Sequence, residues 1–187
     1  MKRKFVFGLG IAALMASAPF VVSEPVLANL QEFGSAIAQQ ITQSEVKLVM
    51  SAEKQVTVVD EKGESQVVWE SLEGEAVVQP SDVLRYAVVT SNDGEVPAKN
   101  LVITQPIPAA MTYVIGSEKG NTAAEATYSI DSGETFVAEP MVEVKLPDGT
   151  VEMQPAPAEA YTHVKWTFNE DLASDVAVNV SHEVVVK

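Results

Sequence analysis

The sequence predicts an all-β protein, an antiparallel β-sandwich spanning about residues 45–187. Three observations predict it. From Val46 onward Val, Thr, Ile and Tyr dominate, and turn-forming residues recur about every eight to twelve positions, the spacing of a sandwich or barrel. The run Asp82–Asn92 alternates, with Leu84, Tyr86 and Val88 on one face and Arg85, Ala87 and Val89 on the other. Such alternation means one buried face and one wetter face. Finally, strand patterns do not alternate with helical ones, which argues against a parallel α/β sheet.

Taken in order, the pattern places strands near 45–51, 55–60, 66–72, 83–91, 99–105, 111–116, 125–130, 141–146, 161–168 and 175–186. In the last of these Val176, Val178 and Val180 share a face opposite Ala177, Asn179 and Ser181. The breaks have chemical reasons. Asp60-Glu-Lys-Gly63 is a four-residue turn with Gly available for positive φ. Gln79-Pro-Ser-Asp82 closes one segment and opens the next, and Asn92-Asp-Gly94 and Asp148-Gly149 are hairpin or loop signals. Residues 154–160 read as a Pro/Ala loop, because Pro cannot donate to a ladder.

The N-terminus reads as an export signal. Lys2, Arg3 and Lys4 precede the uncharged run Phe5–Ala18, and Val26-Leu27-Ala28 is a small-residue cleavage site. The apolar run is 14 residues, short of the ~20 that a membrane span needs. Residues 1–28 are therefore expected to be a cleaved signal peptide, leaving no membrane span. Residues 29–44 form a leader, helical if Leu30, Phe33, Ile37 and Ile41 make one stripe, or extended.

Removing residues 1–28 takes three basic residues and one acidic residue with it. That leaves 9 basic and 25 acidic residues, a net charge of −16 over 159 residues. Such a surface repels nucleic acid, whose binding needs clustered Lys and Arg, and it repels an anionic membrane. A large net charge also keeps an exported protein dispersed. The chain has no cysteine, so thiol catalysis, thiolate metal sites and stabilising disulfides are all excluded, and the core alone must hold the fold.

Constellations for chemistry are sparse. His163 and His182 lie in Val-rich strands, at a spacing that fits neither a zinc-protease helix nor a zinc finger, and both are expected on the surface or on an edge strand. There is no Gly-x-Ser-x-Gly elbow, and no carboxylate pair sits in a recognisable groove. Calcium is the one cofactor to weigh. Asp93, in the turn that starts at Asn92, and Asp131 and Glu134 supply oxygen ligands on turns, although calcium wants six to eight oxygens and neither run resembles an EF-hand. Trp69, Tyr113, Tyr128, Tyr161 and Trp166 offer either a carbohydrate platform or a core, and aromatics on sandwich strands favour the core.

The stretch Val78-Gln-Pro-Ser-Asp-Val-Leu-Arg-Tyr-Ala-Val-Val-Thr-Ser-Asn-Asp-Gly94, followed by Ala98–Val114, resembles the conserved-repeat domain family called domain of unknown function 11. That pattern has a Pro-Gly-Asp turn, a Leu-x-Tyr strand, an Asn-x-Gly loop and then two apolar strands around a Leu-Pro turn. Ala126–Phe136 and Val164-Lys-Trp-Thr-Phe168 extend the match over about residues 45–187. Ser81 stands where the family usually has Gly, Gln105 where it has Asp, and Ala110 where it has Gly. The resemblance implies an immunoglobulin-like β-sandwich of bacterial and archaeal surface and secreted proteins, with no catalytic activity.

The expected function is therefore that of a non-enzymatic exported structural or adhesion protein. It would be secreted or held at the cell surface, or kept in the periplasm, and would act by assembling with other proteins or with copies of itself. One route is strand donation, with residues 29–50 completing the open sheet edge of another chain. The alternative is a soluble extracytoplasmic binding module for glycan or calcium.

Overall fold

The computed structural model describes residues 44–73, 77–120 and 124–187, together with the backbone of 5–6 and 15–16. The expected signal peptide and the leader up to residue 43 otherwise lie outside the described residues. The strands are β1 (Phe5–Val6), β2 (Met15–Ala16), β3 (Val46–Val59), β4 (Ser65–Ser71), β5 (Val77–Val78), β6 (Val83–Asn92), β7 (Val102–Pro106) and β8 (Met111–Tyr113). They continue as β9 (Lys119–Gly120), β10 (Ala124–Ser129), β11 (Met141–Lys145), β12 (Val151–Pro155), β13 (His163–Phe168) and β14 (Ala177–Val186), with one 3-10 turn at Ala158–Ala160.

The larger sheet runs β4-β3-β6-β14-β8, with β9 also pairing β14. The second runs β10-β13-β7, and β2 adds to β7. The β11–β12 hairpin and the β1–β5 pair stand apart. All these pairings are antiparallel. The described residues form antiparallel β-sheets, as the alternation predicted.

The alternation also decides what is buried. Leu84, Val88, Thr90 and Asn92 of β6 point inward, as do Val178, Val180, His182, Val184 and Val186 of β14. Val88, Val178 and Val180 meet Ile103 of β7 and Val164, Trp166 and Phe168 of β13. A second cluster continues the core around Leu84, Ile107, Met111, Tyr113, Tyr161 and Val184. Val176 departs from the expected alternation: it precedes β14 and is exposed.

Several boundaries correct the expectation. The two strands expected at 45–51 and 55–60 are one strand, β3. The charged stretch between them looked like a break, yet its charges are satisfied across the sheet. Glu53 lies opposite Arg85 and accepts from its Nε at 2.7 Å, and the Lys54 Nζ lies 2.7 Å from Asp82. Residues 46–50 are paired along one side, with β6 from Val88 to Asn92, so this part of the expected donor segment is already engaged within the chain's own sheet. The loop expected at 154–160 begins inside β12. Pro155 is tolerated there because it ends an outer two-stranded hairpin, opposite Met141. The short strands β5 and β9 carry too few residues to show a period.

Two turns pin the larger sheet. Gln79-Pro-Ser-Asp82 is a type II turn: Pro80 occupies its second position, Ser81 has φ +76°, and the Asp82 N–H donates to the Gln79 carbonyl at 3.0 Å. A side chain at that φ is strained. At the other end of β6, Asn92 is fully buried with every polar atom used. Its Oδ1 accepts from the N–H groups of Glu45 and Gly94 (both 3.1 Å), and its Nδ2 donates to the carbonyls of Val96 (2.8 Å) and Leu172 (3.0 Å). One side chain thereby ties the start of β3, the turn after β6 and the approach to β14.

Two stability measurements follow. Ser81→Gly is expected to raise unfolding free energy by about 1 kcal/mol, because it removes a left-handed strain that L side chains resist. Asn92→Ala strands several buried backbone groups and is expected to cost about 2–4 kcal/mol. Denaturant midpoints of the two variants against the parent chain check both.

Candidate functional site

The expected calcium ligands do not converge. Asp93 follows β6, where β6 pairs with the start of β14, whereas Asp131 follows β10, where β10 pairs with the start of β13. Both carboxylates already have protein partners. The Lys47 ammonium lies 2.6 Å from the Asp93 Oδ2, and this hydrogen bond, with one from Ser91, holds the Asp93 carboxyl below its usual range. Asp131 accepts from the Ser129 hydroxyl at 2.6 Å and from the Thr135 N–H at 2.9 Å, and these bonds hold its carboxyl far below the usual range. Glu134 shares that turn, and its N–H reaches the Asp131 carbonyl at 3.4 Å. The turn is a folded cap: Gly133 has φ +90°, and a Cβ there would touch the His163 ring at 3.4 Å. Among the described residues, no three His, Cys, Asp or Glu side chains gather as metal ligands.

Neither histidine lies on an edge strand, and His182 is buried, which corrects the expectation for both, while His163 keeps part of its surface in solvent. His163 is half-buried on β13, between β10 and β7. Its imidazole pKa is lowered by burial, against the opposing charge of Asp131. His182 is 1 % exposed at the centre of the larger sheet, ringed by Trp166 (5.8 Å), Tyr86 (5.8 Å) and Tyr113 (5.9 Å). Neither ring nitrogen has a hydrogen-bond partner among the described residues. Burial lowers its pKa to about 4, while the distant Glu118 carboxylate pulls weakly the other way. Alternation put this polar residue inside because it falls on the even, inward register of β14.

Four of the five aromatics join the core: Tyr113, Tyr128, Tyr161 and Trp166. Tyr113 stacks on Tyr161 at 5.3 Å, so these rings form no open platform. A small cleft at one end of the core is lined by Leu101, Phe168, Glu170, Asp171, Val176 and Val178. It brings two carboxylates to an apolar wall.

Trp69, the fifth aromatic, marks a different feature. β6 pairs β3 only from Val46 to Lys54, whereas β4 pairs β3 from Glu53 to Val59. The outer half of β3 and most of β4 therefore project as a two-stranded arm. The arm closes on a turn where Asp60 Oδ1 accepts from the N–H groups of Lys62 and Glu64 (both 2.9 Å) and Gly63 has φ +83°. Both faces of the arm are apolar and wet. Val59 is 67 % and Val67 60 % exposed, and Val58 and Val68 are exposed on the other face. At the root of the arm the Arg85 guanidinium lies 4.2 Å over the Trp69 ring while bound to Glu53, so the aromatic is held in place by a cation.

Among the described residues the outer edge of β4 has no neighbour in the sheet order. Open edges offer unpaired N–H and C=O groups, and proteins usually protect them with Lys, Pro or bulges. Ser65-Gln-Val-Val-Trp-Glu-Ser71 contains neither Lys nor Pro. The sequence did carry a signal for this: Val67, Val68 and Trp69 are consecutive, so one strand is apolar on both faces without a core to face on either.

None of the family models, curated proteins or solved structures compared with the chain matches it. The reading of the site therefore rests on the chain's own geometry.

The buried imidazole makes a pH prediction. His182 is neutral when folded and titrates near 6.5 when unfolded, so the unfolded chain takes up the proton first. Stability attributable to this residue is complete above about pH 6.5, falls as the pH drops, and levels off below about pH 4, a loss of roughly 3 kcal/mol. The difference in unfolding free energy between the parent chain and His182→Phe, followed from pH 7.5 to 4, is expected to show that slope; a flat difference would refute it.

Proposed function

We propose that this chain is a non-enzymatic exported protein of the cell surface or extracellular space, structural or adhesive, that works by protein–protein assembly. The single observation that supports this most is the β3–β4 arm, apolar on both faces and open along the β4 edge. An isolated two-stranded ribbon gains stability when a further strand or surface covers it, and strand addition supplies main-chain hydrogen bonds with side-chain pockets for specificity. The arrangement of antiparallel sheets agrees with an immunoglobulin-like sandwich of the conserved-repeat type. A turn that favours glycine at Ser81 agrees with the Pro-Gly-Asp turn of that family. On this reading the net charge of −16 left after residues 1–28 are removed keeps the free chain dispersed until its specific contact forms.

Among the described residues no helix is long and apolar enough to cross a membrane. In this proposal residues 1–28 direct export and are removed. Residues 29–44 remain as a leader able to extend the interface.

Sedimentation velocity on the chain as the cell processes it tests the reading, with an assembly larger than one chain as the expected result. Deleting residues 29–44 separates the contributions: an unchanged assembly assigns it to the sandwich and arm, and a lost one assigns it to the leader. A monomer at every concentration, combined with a melting temperature that rises in millimolar calcium, would favour the binding-module alternative instead.

A further inference from the structure

The direction of each backbone group along β4 can be worked out from two hydrogen bonds. The Leu72 N–H donates to the Ala52 carbonyl at 2.8 Å, and the Asp60 N–H donates to the Glu64 carbonyl at 2.9 Å. In an antiparallel ladder hydrogen-bonded and non-hydrogen-bonded pairs alternate. The register between these two points is unbroken, from Glu53 opposite Ser71 to Val59 opposite Ser65. The even residues of β4 therefore bond inward to β3. The N–H and C=O groups of Ser65, Val67, Trp69 and Ser71 point outward, away from β3.

An incoming antiparallel strand must match that outward set. We propose that the occupant is a second copy of this chain, its β4 lying antiparallel to β4 across a two-fold axis at Val68. This deepens the assembly reading above and rests on it. In this register Val67 faces the partner's Trp69, Gln66 faces the partner's Glu70, and Val68 faces its own copy. The outward groups of Val67 and Trp69 bond to each other, and those of Ser65 and Ser71 do the same.

Charge selects this register over its neighbours. The two-fold register centred on Val67 keeps the same outward groups but sets Glu64 against the partner's Glu70 twice, and like charges directly opposite are destabilising. The register centred on Trp69 sets Val68 against the partner's Glu70, wasting an apolar contact. Of the three, only centring on Val68 avoids a like-charge pair while matching every apolar residue of Ser65–Ser71 with an apolar one; beyond the strand it sets Glu64 against the partner's Leu72. A closed two-fold contact of this kind is isologous, so it ends at a dimer and leaves the other edges free.

The absence of cysteine makes the test clean. Val68 would sit at a non-hydrogen-bonded pair, where opposed Cβ atoms come within disulfide reach, whereas position 67 would lie on a diagonal from its own copy and out of reach. Under mild oxidation V68C is expected to cross-link into a dimer at least about tenfold faster than V67C or W69C. V67P removes an outward N–H that has no partner among the described residues, so it is expected to turn the dimer into a monomer with an unchanged circular dichroism spectrum. If V67P disturbs the arm, V67K tests the same edge with a charge.

Faster cross-linking of V67C or W69C would overturn the register. A dimer that survives both V67P and V67K, with V68C inert, would overturn the β4 contact yet leave assembly standing. A parent chain that stays monomeric at high micromolar concentration would overturn both.

Discussion

The structure depends on the antiparallel pairing of β6 with β14 at the centre of the larger sheet. Nine residue pairs join them, from Ala177 opposite Ser91 to Val185 opposite Val83. Side chains of a strand alternate in direction, so this one register sends Leu84, Val88, Val180 and Val184 to the same side, where β7 and β13 cover Val88 and Val180, and Ile107, Met111, Tyr113 and Tyr161 pack with Leu84 and Val184. A slip of one residue would bury Arg85 and Glu183 and expose the valines. β3 and β8 are then added to the two flanks, and the second sheet needs only to meet a surface already formed.

The same constraint explains the polar residues of the interior. Thr90, Asn92 and His182 are buried because the register carries them inward, irrespective of their chemistry. Asn92 meets its obligations fully through four hydrogen bonds to other segments. His182 does not: it is enclosed by rings rather than by acceptors, and its neutrality is enforced by desolvation. Gln105, at the position where the resemblance expects Asp, is likewise buried, and among the described residues its amide nitrogen reaches only the Met50 sulfur, at 3.6 Å. The core is thus stable where its polar groups are paired and sensitive to pH where one is not.

Where the larger sheet outgrows its cover, its character changes. β3 has 14 residues, but β6 accompanies only the first nine. Beyond Lys54 the inward register continues as Val56 and Val58 with no opposing sheet among the described residues, which is why the apolar arm is exposed there. The arm follows from a mismatch in strand length, and the apolar character of β4 turns that mismatch into a surface fit for another strand.

Much of this was legible in the chain. The alternation of Leu84, Tyr86 and Val88, the Asp60–Gly63 and Asp148–Gly149 turns, and the absence of helical periodicity from Val46 onward determined an antiparallel all-β fold, because side-chain period and turn chemistry are local properties. Length, charge and lack of cysteine likewise restricted the chemistry available. Tertiary structure decided the rest. It joined two expected strands through the Glu53–Arg85 and Lys54–Asp82 pairs, placed His182 in the core, and separated Asp93 from Asp131. Each of these depends on which distant strand lies alongside, and that is a property of pairing, which no single segment encodes.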